Sequence, residues 1–236
     1  MKSEQNSKRE RYSWAWWWRE WIKPFIIIIS IMAPLRSSIA DWYDVPTGSM
    51  KPTILEGDRV VVNKLAYDLK LPFTSVRLAR WSQPARGETV VFRSPADGVR
   101  LVKRVIGISG DTLAMLNNQL FINGKPLEYS PLEPAAISGI PYEERHPYEF
   151  LREDLAGKTH AVMLTHGIMS RRTFGQIVVP PGQYFVMGDN RDNSADSRYI
   201  GFIPGESIAG EAIAVALSLD RAHWFIPRWQ RFFRAL

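Results

Sequence analysis

Ser49 stands in the run Val45-Pro-Thr-Gly-Ser-Met-Lys-Pro-Thr53, a small hydroxyl beside a glycine and just ahead of a strand-like stretch. A serine hydroxyl is a poor nucleophile until a nearby base takes its proton. The four histidines, His146, His160, His166 and His223, are scattered, with no placement that suits such a base and no HExxH-type metal pair. The absence of cysteine removes thiolate catalysis, disulfides and Cys-type zinc sites together. No metal and no cofactor are expected, and the base has to be sought among the lysines.

A lysine serves as a base only if it is largely neutral near neutral pH. That requires a drop of roughly three pH units from about 10.4, about 4 kcal/mol of disfavoured charge, and burial on an apolar face is the obvious source. Read with a period of two, the stretch from Val99 puts Val99, Leu101, Lys103 and Val105 on one face and Arg100, Val102 and Arg104 on the other. Lys103 is then the one cation on an otherwise apolar face. Lys64 follows Val60 and Val62 in the same manner, at a strand end nearer water. Pattern alone leaves both open.

A third element is the polar tract Gly188-Asp-Asn-Arg-Asp-Asn-Ser-Ala-Asp-Ser-Arg-Tyr-Ile-Gly201, directly after the apolar run Tyr184–Met187. Ser194 and Ser197 offer hydroxyls suited to holding a neutral amine, and Asp/Arg pairs would stiffen the loop. A plain solvated loop fits the same composition.

These residues need a frame. With 236 residues, 45% of them apolar and 23% charged, the chain holds one ordinary domain, or one domain plus an insertion, with a real core. Short Val/Ile-rich runs separated by Gly, Pro and Asp predict strands at Arg59–Asn63, Thr89–Arg93, Leu101–Ile108, Gln119–Ile122, Gln176–Val179, Tyr184–Met187 and Ile208–Leu219. Asn123-Gly124 is a type I′ hairpin signal. Without βα alternation or an internal repeat, the fold class is mainly β, an antiparallel sheet or partly closed barrel. Residues 114–175 are read as an inserted subdomain; its Pro-rich, weakly periodic part, 128–175, suggests no chemistry. At the C-terminus, Phe225, Trp229, Phe232 and Leu236 recur at helical spacing with Arg228, Arg231 and Arg234 between them, either for a membrane interface or for a helix packed on the body.

The net charge is +6, and the basic residues gather at 8–23 and 221–234 beside tryptophans and apolar runs. That arrangement points to anionic lipid, not to nucleic acid. Ile22–Asp41 is twenty residues, about 30 Å as a helix, between Trp14, Trp16, Trp17, Trp18 and Trp21 on one side and Trp42-Tyr43 on the other. Lys2, Lys8, Arg9, Arg11, Arg19 and Lys23 precede it, and Asp41 and Asp44 follow. The expectation is one transmembrane span at 22–41, with a cytoplasmic basic segment at 1–21 and residues 42–236 outside. Arg36 would snorkel to the far interface. A cleaved signal peptide or a buried core helix has a similar layout.

Thr-Gly-Ser-Met-Lys-Pro-Thr (47–53), Gly-Asp-Arg-Val-Val-Val-Asn-Lys (57–64), Lys-Arg-Val-Ile-Gly-Ile-Ser-Gly-Asp (103–111) and Gly-Asp-Asn-Arg-Asp-Asn-Ser-Ala-Asp-Ser-Arg (188–198) resemble, in order, the four boxes of bacterial type I signal peptidase. The resemblance implies a Ser/Lys endopeptidase of the inner membrane that removes signal peptides from translocated precursors. Ser49 would be the nucleophile and Lys103 the general base. The Thr47 hydroxyl and the Ser49 N–H would form the oxyanion hole. Ser194 would hydrogen-bond the lysine amine, Asp196 with Arg198 would stiffen that loop, and Arg104 would pair with Asp189. Shallow pockets lined by Val45, Pro46, Met50, Leu101 and Val102 would accept the small side chains of an Ala-X-Ala site. Implied partners are precursor signal peptides, membrane lipid and the translocation machinery. Ser38-Ile39-Ala40 fits the same preference and offers a self-processing point after Ala40. Many family members have two spans, whereas this chain has room for one, and its insertion is modest. A relative dedicated to one pilin-type or conjugation-type precursor is the alternative.

Overall fold

Asp58, Val60 and Val62 are buried while Arg59 between them is exposed, the period-two signature of a strand with one face on a core. Such strands dominate the computed structural model, which describes residues 14–74, 76–133, 137, 140, 147–221 and 223–236, without the side chains of 15, 35 and 36. The basic residues before position 14, the Arg36 side chain and parts of the 128–175 stretch therefore lie outside the described residues.

The chain opens with α1 (Trp14–Trp17), a π-helical turn at Trp18–Ile22, and α2 (Lys23–Ser38). β1 (Ala40–Asp44) and β2 (Asp58–Asn63) flank the Ser49 loop, and β3 (Asp68–Lys70) with β4 (Arg77–Arg80) makes a small ribbon. β5 (Thr89–Arg93) and β6 (Arg100–Gly107) are paired neighbours, followed by β7 (Thr112–Leu116), β8 (Gln119–Ile122) and β9 (Lys125–Pro126). β10 (Glu128–Pro131), β11 (Tyr148–Leu155) and β12 (Lys158–Thr165) form a three-stranded sheet, and β13 (Phe174–Val178) returns to β7. β14 (Gln183–Met187), α3 (Ser197–Ile200), β15 (Ile203–Pro204), β16 (Ile208–Asp220), β17 (Ile226–Pro227) and β18 (Arg234–Ala235) complete it.

The main sheet runs β1-β2-β16-β5-β6-β14-β15, every neighbour antiparallel, with β17 and β18 added to β16. The path does not close on itself, so the body is a half-barrel. Register shifts in β16 near Gly210, Ala214 and Leu217 bend that strand, which lets it border β2, β5, β17 and β18 in turn. One core packs Met50 and Ile54 of the Ser49 loop against Val60, Val62, Val91 and Val215. A second gathers Val90, Phe92, Val105, Tyr184 and Val186. A third, from Ile106 to Met187, joins the β7–β8 hairpin to the main sheet. Asn123 and Gly124 both have positive φ, 51° and 77°, as a type I′ turn demands.

Three expectations need correction. Residues 40 and 41 are not helical: they pair with Asn63 and Val62 in β1, and no helix among the described residues is long and apolar enough to cross a membrane. The described C-terminal residues form no α-helix, only a 3₁₀ turn at Trp229–Arg231 between β17 and β18. The helical spacing there is overridden by Pro227, by backbone pairing to β16, and by Arg231, which is buried against Asp58 (Nη2–Oδ2 2.6 Å). Residues 128–175 are not irregular throughout, since β11 and β12 are eight residues each.

Candidate active site

The ends of the Ser49 loop are tied together before Ser49 is placed. Val45 N–H donates to Asp58 O, Gly57 N–H donates to Val45 O, and Ile54 N–H donates to Met50 O, all at 2.9–3.0 Å. Met50 and Ile54 then anchor the turn in the core and leave Ser49 half-buried at its edge. β6 lies between β5 and β14, where both of its faces are covered, and it carries Lys103 with only 2% of its surface exposed. Lys103 Nζ is 2.5 Å from Ser49 Oγ, in a hydrogen bond. Burial lowers the lysine pKa from 10.5 to about 8, opposed by the charges of Asp196 and Asp189 and helped by that of Arg198. Lys64, the other candidate base, is engaged elsewhere: it donates to Asp41 Oδ2 at 3.1 Å and to Ser37 O at 3.2 Å.

Arg104, next to Lys103, goes to a separate partner. It holds Asp189 through two contacts, Nε–Oδ1 2.9 Å and Nη2–Oδ2 2.8 Å, and donates to Gly87 O. Burial pushes the Asp189 carboxyl up, but the charge and hydrogen bonds of Arg104, with smaller contributions from His160 and Thr53, together outweigh it and the pKa is lowered overall. Asp196 caps α3, accepts from Nε and Nη2 of Arg198 at 2.8 Å, and accepts the Gly188 N–H at 3.0 Å. Ser197 Oγ accepts the Val186 N–H. Ser194 Oγ is buried and has no hydrogen-bond partner among the described residues, so the expected bond to Lys103 is not made in this structure. The site is nonetheless tight there. A Cβ at Gly188 would lie 2.3 Å from Ser194 Oγ and 2.4 Å from Ser49 O, so only glycine fits.

A cleft of about 280 Å³ opens beside the Ser49–Lys103 contact. Val45, Pro46, Thr47, Met50, Leu101 and Val102 all line it, together with Ser49 and Lys103. Tyr43 and Arg100 also line it, with the guanidinium over the Tyr43 ring at 4.1 Å. Sequence reasoning missed Tyr43 because it was assigned to a membrane interface. It also missed Glu153 of β11, whose carboxylate binds Arg191 at 2.6 Å through both oxygens, and Asn190, which donates from Nδ2 to Gly48 O at 3.1 Å. The density of polar residues in 188–198 was the only signal for Asn190, and nothing in the sequence around Glu153 marked it.

A serine hydroxyl bonded to a lysine amine that burial brings toward neutrality, beside an apolar cleft, is the equipment of a Ser/Lys hydrolase. Residues 18–217 match the family model described as signal peptidase, peptidase S26. The chain belongs to that family. Its relatives include Signal peptidase I of Pseudomonas fluorescens, 36% identical over 213 residues, covering 84% of this chain and 72% of that one. Signal peptidase I of Rickettsia typhi is 36% identical over 219 residues (85% and 80%), and that of Aquifex aeolicus 34% over 227 residues (84% and 83%). Among solved structures, a signal peptidase I from Enterococcus faecalis V583 is 29% identical, covering 55% of this chain and 97% of that one, with a TM-score of 0.34.

Proposed function

We propose that this protein is a serine endopeptidase that removes signal peptides from exported precursors, with Ser49 as nucleophile and Lys103 as general base. The observation that carries the residue assignment is the 2.5 Å contact between Ser49 Oγ and the 2%-exposed Lys103 amine. A neutral Lys103 takes the Ser49 proton as Oγ attacks the scissile carbonyl. The carbonyl oxygen becomes an oxyanion, met by the Ser49 N–H and the Thr47 hydroxyl. Collapse breaks the peptide bond, Lys103 returns the proton to the departing amine, and the signal peptide stays on Ser49 as an ester. Water, deprotonated by Lys103, then releases it. Arg104, Asp189, Asp196 and Arg198 keep the wall around Lys103 rigid without touching substrate.

The cleft sets specificity through its size. Walls of Val45, Pro46, Met50, Leu101 and Val102 around about 280 Å³ admit alanine-sized side chains and exclude bulky ones. Membrane attachment is supported by the exposed apolar surface of α2, where Phe25, Ile28, Ile31 and Met32 are each more than half exposed, and by the exposed tryptophans ahead of it. The basic N-terminal segment places itself on the cytoplasmic side and the catalytic body on the other, where precursors leave the translocation machinery. A protease dedicated to one pilin-type or conjugation-type precursor is not favoured, because the relatives carry the name Signal peptidase I. Incubation of a precursor carrying an Ala-X-Ala site with wild type and Ser49→Ala tests the reading. Cleavage after the second alanine by wild type alone is expected; equal cleavage by both proteins overturns it.

A further inference from the structure

Asn190 lies outside the cleft, yet it grips the peptide unit that carries the Ser49 N–H. Its Nδ2 donates to Gly48 O and its own N–H donates to Ser49 O, each at 3.1 Å. The Gly48 C=O and the Ser49 N–H belong to one planar trans peptide, point in opposite directions and turn together. Holding Gly48 O therefore aims the Ser49 N–H. The peptide needs holding. Gly48 has no Cβ to restrict its torsions, and its nearest neighbours, the ends of the Glu56 and Lys51 side chains, are flexible and do not fix it. Within the loop, the Lys51 N–H gives Gly48 O one further bond at 3.0 Å.

Asn190 is itself fixed from both sides. Met163 N–H of β12 donates to Asp189 O at 2.8 Å, and Arg191 N–H donates to Met163 O at 2.9 Å. Asp189 is locked by Arg104, and Arg191, 1% exposed, is locked by Glu153 of β11. The inserted strands thus reach Ser49 through three links: β11 and β12 hold the 189–191 backbone, Asn190 holds Gly48 O, and Gly48 O sets the direction of the Ser49 N–H.

We infer that Asn190 is a positioning residue of the oxyanion hole, aiming the Ser49 N–H through the Gly48 carbonyl. This rests on the Ser49/Lys103 reading above. The test is Asn190→Ala assayed with three probes: an Ala-X-Ala precursor, a peptide aldehyde of the same sequence, and the matching peptide alcohol. The aldehyde adds to Ser49 Oγ; the C–O bond forms, the carbonyl oxygen takes the negative charge, and the serine proton goes to Lys103. The alcohol has no carbonyl and makes no oxyanion.

The expected result is a loss of about 10- to 100-fold in kcat with KM within about twofold, since deleting an oxyanion donor outright costs about 10²–10³. The aldehyde inhibition constant rises at least about tenfold, in line with that kcat loss, while alcohol affinity and the acid limb of kcat/KM against pH stay in place. Equal losses for aldehyde and alcohol, a displaced acid limb, or an unchanged aldehyde constant each overturn the inference. If Asn190→Ala does not fold, Asn190→Ser, which keeps a short donor, is read in the same way; failure of both to fold assigns Asn190 a general structural role and also overturns it. Failure of the underlying reading looks different, because Ser49→Ala and Lys103→Met would then cleave precursor at the wild-type rate.

Discussion

Replacing Lys103 by Met keeps an unbranched apolar stem one atom shorter and removes the amine. Burial lowers that amine from 10.5 to about 8, so its charged form is disfavoured in the folded protein by about 3 kcal/mol. At pH 7.5 about a quarter of the molecules hold it neutral, against about 0.1% for an unperturbed lysine. For catalysis, wild-type kcat/KM should rise about tenfold per pH unit below 8 and level off above, while Lys103→Met shows no cleavage at any pH. Stability responds to the same shift in a higher pH window. The folded pKa is the lower one, so between pH 8 and 10.5 the unfolded chain binds more protons, and wild-type stability rises with pH through that window. Below pH 8 the wild type carries the full cost. Lys103→Met lacks it, and at pH 7 should be more stable by up to about 3 kcal/mol, less about 1 kcal/mol for the lost bond to Ser49. Urea unfolding of both proteins from pH 7 to 10.5, beside precursor cleavage from pH 6 to 10, measures the two effects. Cleavage by Lys103→Met, a flat wild-type profile across pH 6 to 9, or a stability gap that does not shrink above pH 8 refutes the reasoning.

Burial alone would push the Glu153 carboxyl up, but Arg191, with His160 3.2 Å away, holds it well below the usual range. That depression contributes stability present above the unfolded value of 4.5 and lost as pH falls below it. Glu153→Gln leaves Arg191 buried without its partner, so the urea midpoint at pH 7 should fall by the equivalent of about 3–5 kcal/mol, and the acid-induced loss should flatten. Arg231→Met leaves Asp58, 0% exposed, uncompensated; a similar loss is expected, with earlier cutting of the 221–236 segment in limited proteolysis. Val102→Phe narrows the cleft and should raise KM for an Ala-X-Ala precursor while the thermal midpoint stays within a few degrees, as steady-state kinetics and calorimetry would show.

Local patterns were legible in the chain alone. The Val60-Val61-Val62 run forms a strand, and Asn123-Gly124 forms the turn its two positive φ values require, because both depend on residues a few positions apart. The types of Ser49 and Lys103 named the chemistry, and four boxes in order named the family. Distance in the chain is where that legibility stopped. Lys64 and Lys103 satisfy the same pattern, and only the β1–β2 pairing, which brings Asp41 to Lys64, and the seating of the Ser49 loop over β6 separate them. Helical spacing at the C-terminus yielded to Arg231 meeting Asp58 173 positions away. Glu153, in a stretch without a visible role, reaches the Ser49 loop through Arg191 and Asn190. A side chain's type and its near neighbours are written in the sequence. Its burial and its partners come from segments far along the chain, and those meet only once the sheet has assembled.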